Sequence, residues 1–210
     1  MTPISTGAIT PLASAENFPT AIAIDGTYVY WGTAGTVVAG GSINKVARTG
    51  GSLLHVVSRT YPGINAIAVD ASNGYFTSGY SNLVGKVPVS GTTTTVVAGQ
   101  QSSPEGVVVD GTNIYWASSG AGAVRKIGLA GTTPNDVATG QASPWGVAVD
   151  ATGIYWTNSG DGTIMKARLA GGAPVTLAQA QSTPNGIALD RGSVYWVNNV
   201  ANGSVMKLAK

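Results

Sequence analysis

Few of the 210 residues carry side chains that do chemistry. The chain has one histidine, nine acids and no cysteine, which excludes thiol nucleophiles, disulfide frameworks and cysteine zinc sites together. A serine nucleophile would need a histidine base. No G-x-S-x-G turn occurs, and His55 sits in the apolar run LLHVV with no carboxylate close by in sequence. Phosphate-cradling glycine loops and calcium-loop spacings are absent as well, so no metal and no cofactor are expected. Two-carboxylate glycoside cleavage has one pairing to offer, Glu105 with Asp161 or Glu16, and a lyase would have to use His55. Recognition chemistry is better supplied. Trp145, Tyr80 and Tyr61 offer aromatic surface, Asn65, Asn185, Asn158 and Asn198 offer amides, and Glu105 offers a charge.

The elements that must position these groups come from a repeat. PTAIAIDGTYVYW begins at Pro19, INAIAVDASNGYF at Ile64, PEGVVVDGTNIYW at Pro104, PWGVAVDATGIYW at Pro144 and PNGIALDRGSVYW at Pro184. Asp25, Asp70, Asp110, Asp150 and Asp190 are spaced 45, 40, 40 and 40 residues apart, and a lysine recurs in every unit at Lys45, Lys86, Lys126, Lys166 and Lys207. Within a unit, GVAVD (146–150) is apolar on both faces, as an innermost strand is. IYWT (154–157), TIMKARL (163–169) and PVTLA (174–178) follow as further strands, separated by turns. Four antiparallel strands per roughly 40-residue unit describe a propeller blade. The expectation is all-β, one domain over 1–210, a five-bladed β-propeller with blades starting near 19, 64, 104, 144 and 184. The last unit stops after its third strand, and TPLASAENFP (10–19) aligns with VTLAQAQSTP (175–184). The N-terminal segment 1–18 is therefore expected to supply the outer strand of the last blade and close the ring.

That scaffold explains many residues by itself. The pairs Tyr30-Trp31, Tyr75-Phe76, Tyr115-Trp116, Tyr155-Trp156 and Tyr195-Trp196 point to opposite faces and are expected to fill both sides of each blade. The five aspartates precede turns and should accept turn N–H groups. The lysines should be solvated or paired with a neighbouring blade. What remains clusters on one face: Phe18, Tyr61, Tyr80 and Trp145, with Glu16, Glu105 and Asp161, fall in links that share it. The residue after each repeat's opening Pro or Ile should sit at the rim of the central channel, where it reads Thr20, Asn65, Glu105, Trp145, Asn185. Trp145 is the outlier, a large apolar side chain where packing does not demand one.

Composition narrows the partners. Charged residues are 10% of the chain against about 25% in ordinary domains, hydrophobic residues are 43%, and the net charge is +2. So small an excess excludes phosphate tracking and, with it, nucleic acid. No run reaches the ~18 apolar residues of a membrane helix, so no membrane insertion is expected. MTPISTGAITPLASA has neither a basic start nor an apolar run, so it is no signal peptide.

At GVAVD…GIYWTNSGDGTIMKARLAGGAP the chain resembles the YWTD repeats of low-density-lipoprotein-receptor-type propellers and, more loosely, bacterial NHL-like propellers. YWTN (155–158) stands where that family has YWTD, and LAGG (169–172) where it has a leucine-aspartate-glycine turn. The resemblance implies a blade fold and an extracellular, periplasmic or cell-surface binding module. Its partner would be a protein segment or a carbohydrate, as in a lectin, and it would act as a monomer. A propeller enzyme and a structural domain of a larger surface protein are the alternatives.

Overall fold

The computed structural model describes residues 9–36, 39–91 and 93–210, and every regular element among them is a strand. The first sheet holds β1 (Pro19–Ile24), β2 (Tyr28–Thr33), β3 (Gly41–Ala47) and β4 (Leu54–Tyr61). The second holds β5 (Ile64–Val69), β6 (Asn73–Ser78), β7 (Leu83–Pro88) and β8 (Thr95–Ala98). In the third lie β9 (Pro104–Val109), β10 (Asn113–Ser118), β11 (Ala123–Gly128) and β12 (Asn135–Ala138). The fourth contains β13 (Pro144–Asp150), β14 (Gly153–Asn158), β15 (Thr163–Ala167) and β16 (Val175–Ala178). The fifth has β17 (Pro184–Leu189), β18 (Ser193–Asn198) and β19 (Ser204–Ala209). Within each sheet, strands run in sequence order and pair antiparallel, and successive inner strands β1, β5, β9, β13 and β17 lie side by side.

Local chemistry sets each hairpin. Asp70 Oδ1 accepts from the backbone N–H of Ser72 and Asn73, both at 2.7 Å, and its Oδ2 accepts from Tyr75 Oη at 2.7 Å. Asp25, Asp110 and Asp190 repeat the arrangement with Tyr30, Tyr115 and Tyr195. Asp150 departs from it: Lys210 takes its Oδ2, and Tyr155 meets Thr152 Oγ1 instead. These carboxylates are turn acceptors, as the repeat implied. Two of the lysines also reach a neighbouring sheet, Lys45 Nζ donating to Val89 O and Lys126 Nζ to Leu169 O, whereas Lys166 Nζ donates to Thr152 Oγ1 of its own sheet.

The core lies between sheets. Each junction takes the tyrosine of one sheet and the second aromatic of the next: Tyr30 with Phe76, Tyr75 with Trp116, Tyr115 with Trp156, Tyr155 with Trp196. A further contact was not apparent from the repeat. Trp116, Trp156 and Trp196 donate their indole N–H to Gln101, Gln141 and Gln181 at 2.9–3.0 Å, always across 15 residues. In the first sheet Glu16 Oε2 takes that place, accepting from Trp31 Nε1 and from Asn44 Nδ2.

Among the described residues, no N-terminal strand pairs with the last sheet. Residues 1–8 lie outside the described residues, 9–18 contain no strand, and the fifth sheet ends at β19. Glu16 anchors the segment to the first sheet instead, and positive φ at Ala15 (59°) and Phe18 (50°) turns the chain directly into β1. The faces flanking this seam are open. Ile22 is 75% exposed where its counterpart Ile67 is 6%, and Val205 is 77% exposed where Ile164 is 0%.

Candidate functional site

Every inner strand carries a register shift just after its first residue, at Pro19/Ala21, Ile64/Ala66, Pro144/Val147 and Pro184/Ile187, with the matching shift in β9 opposite Trp116/Ser118. Such irregularities re-aim the local side chain, and here they turn one residue per sheet toward a shared opening. Glycine makes the convergence possible. A Cβ on Gly146 would stand 2.4 Å from Asn185 O, and one on Gly106 2.7 Å from Trp145 O. The result is a cavity of about 820 Å³ between the inner strands, lined among others by Thr20, Asn65, Glu105, Trp145 and Asn185.

The site has one charge. Glu105 is 7% exposed, its Oε1 accepting from Ser119 Oγ at 3.0 Å and its Oε2 from Asn65 Nδ2 at 2.9 Å. Burial pushes its carboxyl above the usual glutamate value, against the pull of the Ser119 and Asn65 hydrogen bonds. Trp145 is 38% exposed on the rim, whereas the other four tryptophans are buried. The arrangement combines an aromatic face, two amides, a hydroxyl and one desolvated carboxylate.

Four of the eight candidates, Trp145, Glu105, Asn65 and Asn185, thus meet at one opening. The others do not line it. Tyr80 is highly exposed in the link after β6, its ring against Gly63. Tyr61 belongs to the junction between the first and second sheets, 5.3 Å from the Phe76 ring and bonded to Thr94 Oγ1. Asn158 is buried, donating to Gln141 Oε1 and Thr163 Oγ1, and Asn198 donates likewise to Gln181 Oε1 and Ser204 Oγ. Thr20, the rim position of the first repeat, also lines the cavity, and Ser119, from the link after β10, holds Glu105.

The catalytic pairing is not assembled. Glu16 is committed to Trp31 and Asn44, and Asp161 to Thr163 in its own turn. Neither lines the cavity, in which Glu105 is the one ionisable residue. His55 lies on the outer strand β4, its Nδ1 at 2.8 Å from Asn44 Oδ1. Among the described residues no group of three or more His, Cys, Asp or Glu side chains is arranged to hold a metal. Among the described residues no helix is long and apolar enough to cross a membrane.

Residues 153–191 match the family described as low-density lipoprotein receptor repeat class B. A search of curated proteins finds no match. Among solved structures, a nidogen/laminin complex superposes with a TM-score of 0.78 at 20% identity, over 91% of this chain and 75% of that one. A streptogramin B lyase does so with 0.75 at 15% identity, over 94% and 70%. The computationally designed protein Ika4 gives 0.63 at 14% identity, over 74% and 98%. Identities this low speak for the fold alone. The class B repeat at 153–191 and the architecture shared with these structures, together with the repeated aromatic pairs and aspartates, make the chain similar to YWTD-type β-propellers.

Proposed function

We propose that this chain is a non-catalytic recognition module, acting outside the cell or at its surface as a monomer, whose channel mouth binds a protein segment. The observation that carries the reading is Trp145, a large aromatic left exposed at the rim of the cavity above Glu105, Asn65 and Asn185. Exposed aromatics ringed by amides and hydroxyls are the composition of an interface centre. The similar nidogen structure is of a complex with laminin, which favours a protein partner over the other classes. The lyase likeness is not matched by catalytic groups, because the cavity holds a single carboxylate and no histidine. We also take the five sheets as five blades of one domain, closed when residues 10–13 add to β19. Ala15 and Phe18 already have the link conformation of Ala180 (58°) and Thr183 (50°), which supports this closure.

The experiment is binding of the wild-type chain to a panel of extracellular proteins and a glycan array, beside Trp145→Ala and the control Thr112→Ala. We expect a protein ligand whose affinity falls at least ten-fold with Trp145→Ala, about the loss of a central aromatic anchor, and is unchanged with Thr112→Ala. A ligand that is a glycan, or that ignores the loss of Trp145, removes the proposal.

A further inference from the structure

Resting on the recognition reading above, we propose that the segment taken at the channel mouth presents a basic side chain, lysine or arginine, with its charged group beside the Glu105 carboxylate and its stem across the Trp145 ring.

The fold does not require an acid at this position. The equivalent residues in the other four sheets are Thr20, Asn65, Trp145 and Asn185, all uncharged, and the bulge forms around each of them. Keeping a carboxylate 7% exposed is costly unless something compensates it, and among the described residues no cation pairs with it. Its two oxygens each accept one hydrogen bond, from Ser119 and from Asn65, out of about four that a carboxylate can accept. Both donors are neutral, and no other ionisable residue lines the cavity.

The surrounding face is built the same way. The described links that open toward it, residues 9–18, 34–36, 39–40, 62–63, 79–82, 99–103, 119–122, 139–143, 159–162, 179–183 and 199–203, hold Glu16 and Asp161 and not one Lys, Arg or His. The links of the opposite face hold Arg48, Arg168 and Arg191. Arg125, on β11, is occupied by Asp136 at 2.8 Å and by Gln101 at 3.1 Å. A chain with net charge +2 therefore turns links without a cation toward its partner. A cation entering the cavity replaces its hydration with the Glu105 oxygens and the Trp145 π-face, contacts that strengthen each other where water is excluded. An acidic segment would meet Glu105 as a like charge.

The test uses acetylated, amidated pentapeptides Gly-Ser-X-Ser-Gly with X as lysine, norleucine or glutamate, titrated against the full chain. The readout is the indole N–H resonance of Trp145, assigned by its loss in Trp145→Phe. We expect the lysine peptide to shift this resonance and to bind at least ten-fold more tightly than norleucine, with glutamate weakest. In Glu105→Gln, whose amide can still meet Ser119 and Asn65, the preference for lysine should fall to two-fold or less while thermal stability is kept. Lowering the pH should weaken only the lysine peptide, beginning above the range where an ordinary glutamate protonates. The groups facing Glu105 from β5, the link after β10 and β13 (Asn65, Ser119 and Trp145) do not titrate there. Equal binding of lysine and norleucine with the Trp145 shift retained overturns the charge assignment and leaves recognition standing. No shift with any peptide also overturns it, and the protein-panel experiment then judges recognition by itself.

Discussion

Tyr75 and Asp70 show how a single hydrogen bond couples a hairpin to pH. Burial alone would raise the Asp70 carboxyl, but the Tyr75 hydroxyl and the backbone N–H groups of Ser72 and Asn73 outweigh it and hold it below the ordinary value. Asp25, Asp150 and Asp190 are lowered too. Burial and the Asp70 bond push the Tyr75 hydroxyl up to about 12, and burial with Asp110 does the same for Tyr115. A lowered carboxyl stabilises the fold above its unfolded value of about 3.9 and loses that contribution as pH falls through the folded one. A raised phenol contributes fully below about 10 and loses it as the pH climbs toward 12. Melting temperatures followed by circular dichroism should therefore fall at both extremes. Tyr75→Phe should flatten the alkaline limb. The aspartate turns were legible in sequence because Asp before a Gly-, Ser- or Thr-containing turn has one common use. The tyrosine partner was not, since it depends on the register that brings the fifth residue onward back over the turn. The glutamine–tryptophan bond escaped for the same reason: 15 residues separate the two, across a link whose path only the fold defines.

At the scale of the strand, the bulges in the inner strands matter most. They put one side chain per sheet into the cavity, and Gly106 and Gly146 let neighbouring inner strands approach. Gly146→Ala places a Cβ 2.4 Å from Asn185 O, and the obstacle is backbone, which cannot rotate away. We expect a loss of about 1–3 kcal/mol, or roughly 2–12 °C in melting temperature for a domain of this size. Peptide binding at Trp145 should weaken with it, because the inner strands that carry Trp145 and Asn185 must spread. A melting temperature equal to wild type would mean that the strands lie farther apart than described. The rim positions themselves were readable from the Pro-x-Gly spacing. Which candidates converge was not: Asn158 and Asn198 share the residue type of Asn185, yet they end second strands and turn to Gln141 and Gln181.

For the whole molecule, closure is tested where the first and fifth sheets meet. Ala98, Ala138 and Ala178 pair with Val84, Val124 and Ile164 in the second, third and fourth sheets. By the repeat, Ala13 corresponds to Ala178 and Val205 to Ile164. The chain has no cysteine, so Ala13→Cys with Val205→Cys gives an unambiguous report. Strands paired at this position bring the two Cα atoms within reach of a disulfide. Oxidation should yield a monomer that migrates faster without reductant and melts at a higher temperature. Free thiols, or a disulfide joining two copies, would show that residues 10–13 do not complete the fifth sheet of their own chain.

The sequence by itself determined the strand order, the repeat length, the turn aspartates and the aromatic pairs, because these follow from alternation and short-range hydrogen bonding that recur in every unit. It also marked Trp145 and Glu105 as departures from that repeat. Tertiary structure decided which departures share a cavity, which acids are already spent on Trp31 or a local turn, and which apolar side chains, Ile22 and Val205 among them, are left exposed. Those outcomes depend on how far one sheet is rotated from the next, a long-range geometry that no local pattern of residues encodes.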